Sequence, residues 1–164
     1  MARNVLACSV LLFAISFIGC SDEPPPCPTC PDERVVPPPP PVPTPASISV
    51  EVVGAGALAS GNGNLLFLEL LLKEAAGTGA NINFIRVDIF RATGEFEERA
   101  EIGADEIEQA TGSNRLEGSS SRQDVWALFF RATVKRGRTL EVTLGFTDDV
   151  GNDVEKRLRF VFTG

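Results

Sequence analysis

Histidine and tyrosine are absent from the 164 residues, methionine occurs only at position 1 and tryptophan only at position 126. Without histidine the chain cannot assemble a Ser-His-Asp or Cys-His relay. It offers no imidazole to zinc or copper and lacks the commonest general base. Catalysis by paired carboxylates is the option left in principle, and it needs two acids converging in a pocket. The chain is expected to be non-enzymatic and to need no cofactor. Positive charge is also short: 15 Lys and Arg stand against 22 Asp and Glu, a net charge of −7. That balance argues against a sequence-independent grip on nucleic acid phosphates and against docking on anionic lipid headgroups. Proline is missing from the last 119 residues, because all 12 prolines lie between Pro24 and Pro45. No hydrophobic run is long. The N-terminal uncharged stretch, Val5 to Ile18, has 14 residues and would reach about 21 Å as a helix, short of a bilayer core of about 30 Å.

What is present begins with a short positive start, Met1-Ala2-Arg3-Asn4, followed by that apolar run and then Phe17-Ile18-Gly19-Cys20. A charged start, a short apolar core and a small residue before the cut describe a secretory signal. The four residues at its end resemble the cleavage and lipidation box of bacterial lipoproteins, with Phe17 where an aliphatic residue is usual. The resemblance implies removal of residues 1–19 and acylation of Cys20 as the new N-terminus. Ser21 stands where aspartate would favour retention in the inner membrane, so the resemblance implies a lipid-anchored protein of the outer membrane. Bacterial lipoproteins typically carry several acyl chains, and more than one is what stable anchoring requires. The competing interpretation is an ordinary secretory signal or an uncleaved anchor, with Cys20 incidental.

Residues 20–46 form a proline-rich linker expected to be disordered. Pro37 to Pro41 is uninterrupted and Val42-Pro43-Thr44-Pro45 follows. Proline fixes φ near the polyproline II value and has no N–H to donate. Such a segment is a semi-rigid spacer of about 3.1 Å per residue, so it could hold a domain up to roughly 80 Å from a membrane. A passive spacer is expected, rather than a ligand for a proline-binding module. Cys27-Pro28-Thr29-Cys30 sits within it. Thioredoxin-like CxxC chemistry needs a strand and a helix around the pair, and prolines on both sides preclude them. No second pair completes a four-thiolate zinc site. A local disulfide between Cys27 and Cys30, or pairing with another molecule, fits an exported, oxidising compartment.

Residues 47–164 change grammar. Leu140, Val142, Leu144 and Phe146 alternate with polar residues, as do Val154, Leu158, Phe160 and Phe162. These are half-buried strands, and Asp148 to Asp153 between them is a run of turn formers, so a C-terminal antiparallel hairpin is expected. Ile48, Val50 and Val52 make another face, as do Ile85, Val87 and Ile89, and Trp126, Leu128, Phe130, Ala132 and Val134. Leu65 to Lys73 is almost wholly apolar and fits a central strand buried on both faces. Phe96 to Ile102, bracketed by Gly94 and Gly103 and rich in glutamate, is expected at a sheet edge, where charge blunts intermolecular pairing. Ala104 to Ala110 is expected as a short helical turn. Turns are expected at Gly54 to Asn64, Ala75 to Asn81, Gly112 to Ser121 and Lys135 to Arg138. About seven strands without intervening amphipathic helices predict an all-β, antiparallel, immunoglobulin-like two-sheet sandwich, with Trp126 between the sheets.

Three segments carry a family resemblance: Glu74-Ala75-Ala76-Gly77-Thr78-Gly79-Ala80-Asn81-Ile82, Thr111-Gly112-Ser113-Asn114-Arg115-Leu116 and Phe146-Thr147-Asp148-Asp149-Val150-Gly151-Asn152. Over Ile48 to Phe162 the chain resembles immunoglobulin-like domains, related in layout to fibronectin type III, found in lipoproteins of environmental bacteria. The resemblance brings no catalytic residues with it.

Candidate chemistry in the domain is sparse. Asp148, Asp149, Asn152 and Asp153 are oxygen ligands at short spacing, but calcium takes 6–8 oxygens in an ordered cage and these residues favour tight turns unaided. Gly54, Gly56, Gly61 and Gly63 lack the Lys-Ser or Lys-Thr of a phosphate cradle. Lys135, Arg136 and Arg138 make a basic turn too small to read nucleic acid. The expected function is a lipid-anchored envelope protein that presents a binding or structural module on a spacer, with a protein or a cell-wall polysaccharide as partner. The alternative is a redox or crosslinking lipoprotein acting through Cys27 and Cys30.

Overall fold

The computed structural model describes residues 38–164. Cys20, Cys27, Cys30, the signal and most of the proline segment lie outside the described residues. The elements are β1 (Ile48–Ser60), β2 (Gly63–Glu74), β3 (Ala80–Phe90), β4 (Phe96–Gly103), α1 (Ala104–Thr111), β5 (Arg115–Leu116), β6 (Ser121–Phe130), β7 (Thr139–Asp148) and β8 (Asp153–Val161). They form two antiparallel sheets. One has the order β1-β2-β6; the other runs β4-β3-β7-β8, with β5 pairing the start of β3 at Ala80 and Asn81. Strands one and two start the first sheet, three and four the second, and the chain then crosses back before closing with the β7–β8 hairpin. This is the immunoglobulin-like sandwich expected from the alternation, with eight strands rather than seven. The extra one, β5, is two residues inside a stretch expected to be all turn.

The apolar alternation fills the space between the sheets. Leu66, Leu68, Leu70 and Leu72 of β2 face Ile82, Ile85, Val87 and Ile89 of β3 and Leu140, Val142, Leu144 and Phe146 of β7, all nearly inaccessible to solvent. Trp126, 3 % exposed, lies among them. α1 begins after Gly103, whose N–H donates to the Glu106 carboxylate at 2.9 Å, and Asp105 and Glu106 sit where the helix dipole favours anions. It ends at Gly112, whose φ of 79° lets its N–H return to the Glu108 carbonyl. Its one buried residue is Ile107. The expected single turn is therefore two turns, anchored by one side chain.

Three expectations need correction. The stretch from Gly54 to Asn64 is strand almost throughout; the turn is two residues, Gly61 and Asn62, with Ser60 opposite Gly63. Gly61 has φ of 55°, the positive value that the first central position of a type II′ hairpin turn requires. Glycine and alanine suggested a loop because small residues weaken strands, but pairing with the leucines of β2 carries β1 through. A bulge at Val53 shifts the register between Val52 and Gly54. Next, β2 is central, between β1 and β6, yet buried on one face only. Finally, β6 stops at Phe130, so Ala132 and Val134 lie beyond it.

Gly118 packs against the backbone of Gly77 so closely that a methyl group there would collide with the Gly77 carbonyl. Gly118→Ala is expected to cost about 1–3 kcal/mol, the usual toll of overpacking, read as a lower urea midpoint. An unchanged midpoint would show that this loop yields freely.

Candidate functional site

The end of the sandwich where the chain joins it is held by two buried carboxylates. Glu74 accepts hydrogen bonds from the N–H groups of Ser47 at 2.9 Å and of Ala76, Gly77 and Ser119 at 2.8 Å each. Burial pushes its pKa up, and these four donors more than offset that, leaving it at about 2 against an ordinary 4.5. Asp148 accepts from the N–H and side-chain amide of Asn152, and from the N–H of Val150 and of Ala46. The Asn152 and other N–H donors outweigh its burial and hold it at about 2. Both groups therefore tie loops and the start of the domain to strand ends.

This accounts for the four oxygen-bearing residues considered for calcium. Asp148 spends both oxygens on its own turn. Asp149 makes a two-pronged pair with Arg115, at 2.9 and 2.8 Å; that hydrogen-bonded guanidinium holds the Asp149 carboxyl below its usual range. Arg115 also reaches Glu117 and is held even more firmly protonated. Asp153 accepts from the Thr147 hydroxyl, and the Asn152 side chain donates to Asp148. Among the described residues no group of three or more His, Cys, Asp or Glu is placed to hold a metal ion.

At the opposite end, Arg91 to Thr93 and Lys135 to Arg138 line an open hollow of about 300 Å³. Two of its three arginines are engaged: Arg91 reaches Glu95 and Glu97, and Arg138 pairs with Glu97. Of the basic turn, Arg138 is thus neutralised from β4, while Lys135 and Arg136 pair with no acid among the described residues.

The two outer faces of the sandwich differ sharply. On the β4-β3-β7-β8 sheet most outer side chains along the middle of the strands are paired, and exposed large apolar groups stand only at its margins, at Phe96 and Val161. Arg86 meets Glu101 at 2.6 Å, Arg99 grips Asp88 with two bonds, and Arg157 lies 3.6 Å from Glu141. The guanidinium groups of Arg86 and Arg159 cover the rings of Phe84 and Phe90. On the β1-β2-β6 sheet the cross-strand rows near the hairpin are apolar. Leu58, Leu65 and Phe129 form one row, Gly56, Phe67 and Ala127 the next, and Gly54, Glu69 and Val125 the third. Leu58 is 60 %, Val125 64 %, Phe129 49 % and Phe67 37 % exposed. An open groove of about 180 Å³ runs along Gly54 to Gly56 beside Phe67, Glu69 and Val125. A contiguous apolar patch on a folded surface marks a site of contact.

Sequence reasoning did not find this patch. It assigned both faces of Leu65 to Lys73 to the interior and used Val125 to Phe130 only for its inward residues. The signal was there: Val125, Ala127 and Phe129 are apolar on the face opposite Trp126, Leu128 and Phe130.

Among the described residues no helix is long and apolar enough to cross a membrane. No protein-family profile matches the chain, and no curated protein matches it in sequence. Solved structures resemble its fold. The putative ApaA protein from Bordetella pertussis superposes with a TM-score of 0.52 at 10 % identity, covering 73 % of this chain and 94 % of that one. A second structural-genomics target, SoR45, gives 0.50 at 16 % identity, over 69 % of this chain and 84 % of that one. At such identities the likeness concerns the fold alone.

Proposed function

We propose that this chain is a lipid-anchored protein of the bacterial cell envelope whose sandwich is a non-catalytic contact module, held away from the membrane by the proline segment. The observation that carries this reading is the contrast between the faces: one finished with ion pairs, the other left apolar around Leu58, Phe67, Val125 and Phe129. Anchoring rests on the signal and on Cys20, which the sequence supplies. Fold alone names no partner; the surface chemistry favours a protein, because aliphatic and phenyl groups beside an unpaired strand suit a polypeptide better than a hydroxyl-rich glycan.

Two measurements test it. In cells, Cys20→Ser should move the full chain from the membrane fraction to the soluble one; persistence in the membrane would remove the acyl anchor. A photoreactive phenylalanine analogue at Val125 or Phe129 should give crosslinked protein products in intact cells, whereas the same analogue at Arg157, exposed on the other sheet, should not. Equal yields from the two faces would sink the contact reading.

A further inference from the structure

β1 is the outer strand of its sheet, with β2 on one side only. An unpaired strand edge offers a row of free N–H and C=O groups, and proteins normally protect it with charge, proline or brevity. Other edge strands here follow that rule. β4 carries Glu97, Glu98, Arg99 and Glu101, β8 carries Glu155, Lys156, Arg157 and Arg159, and β6 carries Arg122 and Asp124. β1 is 13 residues long, has Glu51 as its one charge, and is uncharged from Val52 to Ser60.

We infer that β1 pairs antiparallel with β1 of a second copy of this chain, about a two-fold axis at Gly56, so that two three-stranded sheets become one of six. The inference rests on the contact module proposed above and names its partner. Three observations select a second copy. With Gly56 opposite itself, Leu58 falls opposite Gly54 of the other copy, on the same outer face. There the Glu69 side chain already lies over Gly54, and the groove beside Gly56 and Phe67 receives an aliphatic side chain against the Glu69 stem. Glycine within a strand marks a place where another backbone comes close, and nothing lies within 4 Å of a methyl built on Gly56. On the inner side Ala55 falls opposite Ala57, both exposed and small. Charge decides the rest: copies with a net charge of −7 meet here with no like charges opposed, because Glu51, counted past the bulge at Val53, falls opposite Ser60. Pairing through β4 or β8 would instead bring at least four charged side chains of each strand into the seam.

Area sets the strength. The uncharged stretch spans about 30 Å at roughly 3.4 Å per residue. Such an edge pairing belongs with interfaces of under about 1,200 Å², which are transient in dilute solution. The test is therefore covalent capture. A photoreactive analogue replacing Leu58 in the full chain should give, in intact cells, a product of twice the chain mass whose junction maps to Gly54–Gly56 of the second copy. A second series, with the analogue at Phe67, which stands opposite Gly56 on the strand next to the seam, carries Leu58→Glu or Leu58→Lys. Leu58→Glu sets a carboxylate against Glu69 of the other copy and should cut the dimer product at least roughly fivefold. Leu58→Lys, facing the same Glu69, should keep it. Thermal unfolding of each variant should match the parent, since Leu58 is exposed. Equal loss in both variants would overturn this register. Products with other proteins alone would overturn self-pairing while leaving the contact module standing; no product from Leu58, Val125 or Phe129 would overturn both.

Discussion

Replacing Trp126 with alanine lowers the melting temperature by roughly 10–20 °C, the largest effect expected from one side chain here. Trp126 stands opposite Leu68 on the neighbouring strand and is nearly sealed between the sheets. Truncating a buried tryptophan to alanine costs about 3–5 kcal/mol, through lost transfer energy and the cavity left behind. An opposing term exists: the Trp126 indole N–H has no hydrogen-bond partner among the described residues. A buried unpaired donor costs about 1–3 kcal/mol. Trp126→Phe removes that donor and leaves a smaller cavity, so it should lie much nearer the parent than Trp126→Ala. If the two variants melt together, the side chain is not the packing element it is taken to be.

The second large effect is acid sensitivity centred on Glu74 and Asp148. Both carboxyls sit at about 2 in the folded chain, against 4.5 and 3.8 ordinarily. A depressed folded-state pKa means that the stabilisation is fully present above the unfolded value and is lost as pH falls through the folded one. The urea midpoint should thus be flat above pH 5 and fall steadily between about pH 4.5 and 2. The double variant Glu74→Gln, Asp148→Asn should be less stable at pH 7 and show a much flatter acid limb, because its amides do not titrate and leave several N–H groups poorly satisfied. For contrast, Glu101→Gln breaks a half-exposed pair with Arg86, and exposed pairs are worth about 0–1 kcal/mol. A parent midpoint that is the same at pH 7 and pH 2.5 would refute the role given to the two carboxylates.

Why these acids matter was not legible in the sequence. Glu74 reads there as the polar end of an apolar strand, and its donors come from positions 47, 76, 77 and 119. Only folding brings those N–H groups to one point. Ser119, with its unusual φ of 54°, is placed by the same contact. Asp148 was legible as a turn former, and the turn it forms does use its carboxylate; that it also pins Ala46 was not. Gly54 to Ser60 misled because composition indicated a loop, while the leucines opposite it supplied the pairing that glycine and alanine lack on their own.

The period-two alternation by itself determined that this domain is all-β and two-layered, because one apolar face per strand can be satisfied only by a second sheet. It also determined the edge position of the acidic strand and the buried place of Trp126, since charge resists burial and indole favours it. The tertiary structure alone decided which strands share a sheet, which carboxylates become buried anchors, and which of the two outer faces stays apolar. Each of those depends on residues far apart in sequence meeting across a register, and a register follows from the whole set of strand pairings rather than from any one strand.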